Sequence, residues 1–255
     1  MLRPRIIPCL LVRKKGLVKT IRFDDGKYVG DPINAVRIFN EKKVDELVVL
    51  DIDATQNGLE PDYEMIKTLA AECRMPFCYG GGIKEANQAK KIIGLGVEKV
   101  ALSAAAVEDP QIISEIAREL GSQSVIVVLD VKKKLLGQSY EVWTHNGKKN
   151  SGKCPVEFAR LLEQSGVGEI IVNSINNDGV MAGYDIAILK QIRDAVSVPL
   201  TAVGGAGSVA DMRMLLRELG VMGAAAGSLF VFKGAYKAVL ISYPTEDERK
   251  SLYAV

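Results

Sequence analysis

Three aspartates and two glycine clusters are the residues of this chain best suited to chemistry. Asp51 and Asp130 each end an apolar run, and Asp178 lies just beyond a third, in the turn Asn176-Asn177-Asp178-Gly179. A carboxylate in such a position serves as general acid or base if burial raises its pKa, or caps the turn that follows. The glycine clusters are Gly80-Gly81-Gly82-Ile83 and Gly204-Gly205-Ala206-Gly207, joined by the small-residue turn Ala226-Gly227-Ser228. Glycines at a strand-to-helix turn let backbone N–H groups approach an anion, with the next helix N-terminus behind them; tight turning alone is the plainer reading. A third set, Arg5, Glu46, Lys99 and Glu169, opens otherwise apolar runs and reads by itself as a salt-bridge ring.

The elements that must position these groups are eight short apolar runs at 5–12, 46–52, 76–80, 98–103, 124–131, 169–174, 199–203 and 222–227. Their near-continuous apolar character marks strands buried on both faces, as in a parallel sheet. A helical pattern follows each. The first begins at Asp31-Pro32, an N-cap followed by proline at the first helical position. The others span 62–73, 86–95, 109–120, 155–165, 185–196, 209–219 and 234–242. Eight strand–helix units in 255 residues predict a single α/β domain, a closed (β/α)8 barrel, over an open doubly wound sheet.

The chain also nearly repeats itself. Val44–Asp53 recurs as Val167–Asn176, and Pro76–Gly82 is echoed by Pro199–Gly205, at an offset of 123 residues. This predicts two duplicated half-barrels, about 1–122 and 123–245, and favours closure. The long connections after strands 1 and 5, residues 13–30 and 132–152, are then symmetry mates on the C-terminal face. On that face the aspartates and glycines read as a site, while the charged set meets at the barrel bottom. Strands 3 and 7 lie opposite each other, so two anion cradles there suit an elongated ligand with a phosphate at each end.

Composition narrows the classes. A net charge of +2 gives no electrostatic reason to expect nucleic acid. No apolar run approaches the roughly 18 residues of a membrane span. The N-terminal apolar stretch runs directly into Arg13-Lys14-Lys15 and reads as a strand, not a leader. Cys9, Cys73, Cys78 and Cys154 form no C-x-x-C pair and read as free thiols of a cytoplasmic protein. His145, the only histidine, sits in the turn signal Thr144-His145-Asn146-Gly147, which makes a triad poorly supported and an all-histidine metal site impossible. No metal and no cofactor are expected.

Taken together, the opening Arg5–Leu10, Val44–Ile52, Gly80–Ile83, Gly147–Asn150, Asp178-Gly179 and Gly204–Gly207 closely resemble the cyclase subunit of imidazole glycerol phosphate synthase, from residue 2 to about 240. The resemblance implies ammonia supplied by a glutaminase subunit docked as a heterodimer on the barrel bottom. It casts Arg5, Glu46, Lys99 and Glu169 as the gate through which ammonia enters. The family's small-molecule substrate is a ribulosyl-formimino aminoimidazole carboxamide ribonucleotide with a phosphate at each end. The phosphate and substrate positions fall on Lys19, Asp51, Gly81, Gly82, Ser103, Asp178, Gly179, Gly204, Gly205, Gly227 and Ser228.

The family uses two aspartates, at the ends of strands 1 and 5. Asp130 matches the second; the first falls on Leu11, and leucine cannot transfer a proton. Other departures cluster at the same rim. Ser103-Ala104 replaces Asn-Thr, Asn176 replaces an aspartate, and the strand 1 loop keeps Lys19 without its Asp-Gly pair. This pattern is similar to a divergent branch encoded with surface-polysaccharide genes. For that branch the resemblance implies ammonia channelled to a sugar amidotransferase, whereas a histidine-pathway cyclase working with Asp130 alone is the alternative. A phosphoribosyl isomerase of the neighbouring histidine step shares the fold but also wants the strand 1 aspartate and needs no ammonia floor.

Overall fold

A computed structural model describes residues 3–135, 137–234 and 236–254. Eight parallel strands close on themselves: Arg5–Arg13, Leu47–Asp51, Phe77–Gly80, Lys99–Leu102, Val125–Lys133, Glu169–Ser174, Leu200–Val203 and Gly223–Ala226. The eighth returns to pair with the first, Arg5 opposite Gly223, and the fifth and sixth pair through Asn173 opposite Asp130. The barrel expected from the eight apolar runs is therefore the fold. Each predicted strand matches an observed one to within a residue or two at either end.

Two apolar layers explain why those runs lack alternation. Ile7, Cys9, Val48, Cys78, Ala101, Ile126, Val128, Ile171, Val203 and Ala225 fill the barrel interior, with Leu11 and Leu50 packed at its upper edge. The alternate residues, among them Ile6, Leu10, Val49, Tyr79 and Val127, face the helices. Most strand positions are thus buried on one face or the other, the exceptions lying mainly at the strand ends, so sequence hydrophobicity stays high along each run.

Local sequence sets the helix ends. Asp31 caps the helix Pro32–Glu41, its side chain accepting from the Asn34 amide at 2.9 Å. Asp62 does the same for Tyr63–Glu72 through Met65 at 3.0 Å. Ser208 and Asp211 form a reciprocal capping box on Val209–Leu219, satisfying orphan amides that would otherwise need water. Among the described residues no helix is long and apolar enough to cross a membrane.

Two readings change. The long connections after strands 1 and 5 fold as antiparallel hairpins: Gly16–Ile21 with Asp24–Gly30, and Tyr140–Thr144 with Lys149–Asn150. The helix expected over 234–242 is absent from its described residues. A short helix, Ser228–Val231, precedes it, and Phe232–Lys233 pairs with Ala238–Val239 in a small hairpin. Gly234 and Lys237 both take positive φ, at 74° and 49°, which turns the chain there. The last helix is Glu246–Tyr253, anchored where the Tyr253 hydroxyl donates to the Asp45 carboxylate at 2.7 Å.

Candidate active site

At the C-terminal end of the barrel lies a cavity of about 680 Å³. It is lined by Leu11, Lys19, Asp51, Gly81, Gly82, Ser103, Asp130, Asp178, Gly179, Gly204, Gly205, Gly227 and Ser228. The structure thus brings together these mouth residues singled out from the sequence, from the ends of all eight barrel strands and both halves of the chain. Residues Phe23, His145 and Asn146 of the two hairpins join them. The hairpin tips meet: a Cβ on Gly147 would stand 3.3 Å from the Phe23 ring.

The three aspartates differ in surroundings. Asp51 accepts from the amides of Asp53 and Ala54, both at 3.1 Å, and so caps the turn after its strand. Burial raises its pKa and those amides pull it back. Asp178 accepts from the Thr20 hydroxyl at 2.7 Å and the Phe23 amide at 3.3 Å, tying the first hairpin to the sixth strand's loop; burial raises it too. Asp130 has the least support. Its carboxylate receives Asn173 Nδ2 at 2.9 Å and the Ser103 hydroxyl at 3.5 Å. Burial pushes it up to about 7 against the pull of the Asn173 bond, and the negative charge of Asp178 adds to the rise. A carboxyl that titrates near neutrality is suited to moving protons.

Lys19 is buried, and its ammonium donates to the Cys9 carbonyl at 2.8 Å. Burial lowers its pKa, while the nearby Cys9 thiol and Asp178 oppose that. Its Nζ lies over Gly227, where a Cβ would come within 2.5 Å of it. Lys19 thus sits at the rim between the first and eighth strands, in space that a side chain at position 227 would contest. Leu11, two residues beyond Cys9 on the first strand, puts an isobutyl group at the pocket edge beside Leu50.

The glycine turns have steric reasons of their own. Gly81 has φ 123°, and a Cβ there would meet the Asp51 carbonyl. Gly205, at φ 111°, would press its Cβ into the Gly183 carbonyl. Tight turning therefore accounts for these glycines without a ligand, and the close backbone approach it produces is also what an anion cradle needs. His145 and Asn146, at φ 54° and 56°, form the tip of the second hairpin as the turn signal suggested.

At the other end the four charged residues meet. Arg5 donates to Glu46 at 2.5 Å and to Glu169 at 2.7 Å and 3.1 Å; Lys99 reaches Glu46 at 2.7 Å and Glu169 at 3.1 Å. The glutamates are only 3% and 5% exposed. Burial alone would raise Glu169, but Arg5, Lys99 and Thr201 together hold it below the ordinary carboxylate range. Thr201, on the seventh strand, is a fifth member that sequence reading missed, donating to Glu169 at 2.5 Å. Asn173 and Thr20 were missed as well. A single polar residue inside an apolar or β-branched run carries no spacing signal.

Comparison with known proteins agrees with this geometry. The histidine biosynthesis protein family matches residues 5–237. A Vibrio vulnificus protein provisionally named imidazole glycerol phosphate synthase subunit hisF3 is 56% identical over 98% of this chain and 96% of its own. A Leptospira interrogans protein provisionally named imidazole glycerol phosphate synthase subunit HisF is 54% identical over 99% of this chain and all of its own. The Hyphomonas neptunium imidazole glycerol phosphate synthase subunit HisF, named without that qualification, is 40% identical over 91% of each chain. Matched along nearly its whole barrel, the chain belongs to the histidine biosynthesis protein family, as a divergent member of its imidazole glycerol phosphate synthase HisF group.

Proposed function

We propose that this barrel conducts ammonia, released by a glutaminase subunit bound under the Arg5–Glu46–Lys99–Glu169 floor, to an acceptor at its mouth, and that it performs little of the cyclisation associated with its family. The observation that carries this reading is Leu11. The cavity retains Asp130, Lys19 and the glycine turns, yet the first strand offers only an isobutyl group where the resemblance calls for a proton-transferring aspartate. General acid–base assistance is worth about 10²–10⁴-fold in rate, and no other titratable side chain of the first strand lines the cavity except Cys9, whose thiol burial raises to about 11. The interior below is apolar from Ile7 to Val203, a lining that favours a small neutral molecule over an ion. The acceptor in this reading is an N-acetyl sugar amidated by a third protein in surface-polysaccharide synthesis. The rim substitutions and the higher identity to the provisionally named relatives support a separate branch.

A second reading, a histidine-pathway cyclase using Asp130 alone, draws on that group's pKa near neutrality. One assay separates the two. The purified chain, mixed with the family's bis-phosphate substrate and high ammonium at alkaline pH without glutaminase, is expected to turn over about 10²-fold or more below a family member carrying both aspartates. Leu11→Asp is expected to recover activity. Turnover equal to that of the two-aspartate enzyme overturns the conduit reading.

A further inference from the structure

The half-repeat places glycine-lined turns on opposite sides of the mouth, and the structure gives them different company. Beside the turns of strands 7 and 8 stands Lys19. It is only 5% exposed, forms no ion pair among the described residues, and gives an ammonium hydrogen to the Cys9 carbonyl. Asp178 is near enough to oppose the fall in its pKa but bonds to Thr20 and Phe23 instead. A buried cation with no counter-ion is costly, and an anion arriving at the mouth relieves that cost. The Gly205 amide has no protein acceptor among the described residues, and Ser228 adds a hydroxyl to the same lining.

The turns of strands 3 and 4 lack each of these features. Leu11 lies opposite Val18 and Asp130 opposite Trp143, so the place that Lys19 takes in the first hairpin belongs to Thr144 in the second. Thr144 is buried, and its hydroxyl lies 3.0 Å from His145 Nδ1. Ala105 stands where Ser228 does, 123 residues earlier. The Gly82 amide already donates to the Thr55 hydroxyl at 3.3 Å, and the Ser103 hydroxyl turns to Asp130 at 3.5 Å. Beyond these turns the cavity continues past Lys84, Glu85, Glu108, Asp109, Glu115 and Glu119. Glu108 pairs with Lys149 and Glu119 with Lys90, which leaves three carboxylates against one ammonium. Exposed charges of this kind are individually weak. Their sign is nevertheless wrong for a phosphate, and neither the Gly82 amide nor the Ser103 hydroxyl is free to offset it.

We infer that the mouth receives a ligand phosphorylated at one end only: its phosphate sits against Gly205, Gly227, Ser228 and Lys19, and the end over the strand 3 and 4 turns carries no phosphate. This rests on the reading that the mouth holds an acceptor, and it names that acceptor's class, a monophosphate ester. The two sides of the mouth thus kept the same backbone turns while only one kept the charge and donors that hold an anion.

Inorganic phosphate is the probe, titrated at constant ionic strength and pH 8 into the ¹⁵N-labelled full chain while the backbone amides of both sides are followed by NMR. Saturable shifts are expected at Gly205, Gly227 and Ser228. Gly82, Ala104 and Ala105 are expected to respond at least about tenfold more weakly, the worth of one charge-assisted hydrogen bond. Lys19→Met should weaken binding at the strand 7 and 8 turns by about tenfold or more on the same grounds. The two sides are compared within one unmutated chain, so the main result stands even if that variant does not fold. Saturation of both sides at similar concentrations, no saturable shift on either, or a folded Lys19→Met that binds as the parent does would overturn the inference. Phosphate on both sides together with a low cyclisation rate would sink it and leave the conduit reading standing; phosphate on one side together with a full cyclisation rate would do the reverse.

Discussion

Asp130 shows how a single residue is set for proton transfer at the expense of the fold. Its carboxyl titrates at about 7, above its ordinary 3.8, because the barrel mouth removes water and offers only neutral donors. The folded state therefore binds a proton between about pH 4 and 7 that the unfolded chain has already released. By linkage, this group's contribution to stability falls as pH rises through that window and stays low above it. Asp130→Asn keeps the shape and removes the titration. It is expected to gain about 1–3 kcal/mol over the parent at pH 8 and little or nothing at pH 4, as measured by urea unfolding at the two values; a constant difference across pH would contradict the assignment. The aspartates and glycines of the mouth were legible in sequence because they end apolar runs. Asn173 was not, since its role depends on register with Asp130 on another strand.

Among the elements, the strand-to-helix turns carry the site, and sequence marks them because their backbone geometry excludes other residues. Gly81 combines φ 123° with a Cβ path blocked by the Asp51 backbone. Gly58 has φ 67° but open space around it. Gly58→Ala should therefore cost only the left-handed backbone penalty, about 1–2 kcal/mol. Gly81→Ala should cost several kcal/mol more, since backbone must move, and thermal melts of the two variants read the difference directly. The hairpins after strands 1 and 5 were legible as long insertions but not as strands. Their partners lie within the insertion itself, and residues such as Lys19 and Thr20 are buried against the site rather than the core. The segment after the eighth strand misled because its apolar spacing resembles a helix; Gly234 and Lys237 turn it into a hairpin instead.

Over the whole molecule, charge is sorted between the two ends of the barrel. The insertions at 13–30 and 132–152 hold eleven of the 33 Lys and Arg residues but only three of the 31 Asp and Glu, so the hairpins over the mouth are strongly basic while the chain as a whole is nearly neutral. At the floor, opposite charges are held together. Arg5, Lys99, Glu46, Glu169 and Thr201 come from five different strand starts and tie them into one network. Arg5 is the member whose loss should matter most, because it bonds both glutamates and Thr201. Arg5→Met would leave two nearly buried carboxylates facing Lys99 alone. Loss of one partner from a buried pair costs 3–5 kcal/mol; with Arg5 partly open to solvent, about 2–4 kcal/mol at pH 7 is expected. Glu169 is held below its ordinary 4.5, so its share of stability is present above that value and fades as pH falls through the lower folded pKa. The Arg5→Met penalty should therefore shrink at pH 3.5, where a carboxyl freed from Arg5 takes up a proton, whereas Thr201→Val, which removes the hydroxyl's bonds to Glu169 and Arg5 but no charge, should cost only about 1–2 kcal/mol at pH 7. Urea unfolding of both variants at the two pH values checks this. A penalty for Arg5→Met as large at pH 3.5 as at pH 7 would mean that the floor is held by packing and not by its charges.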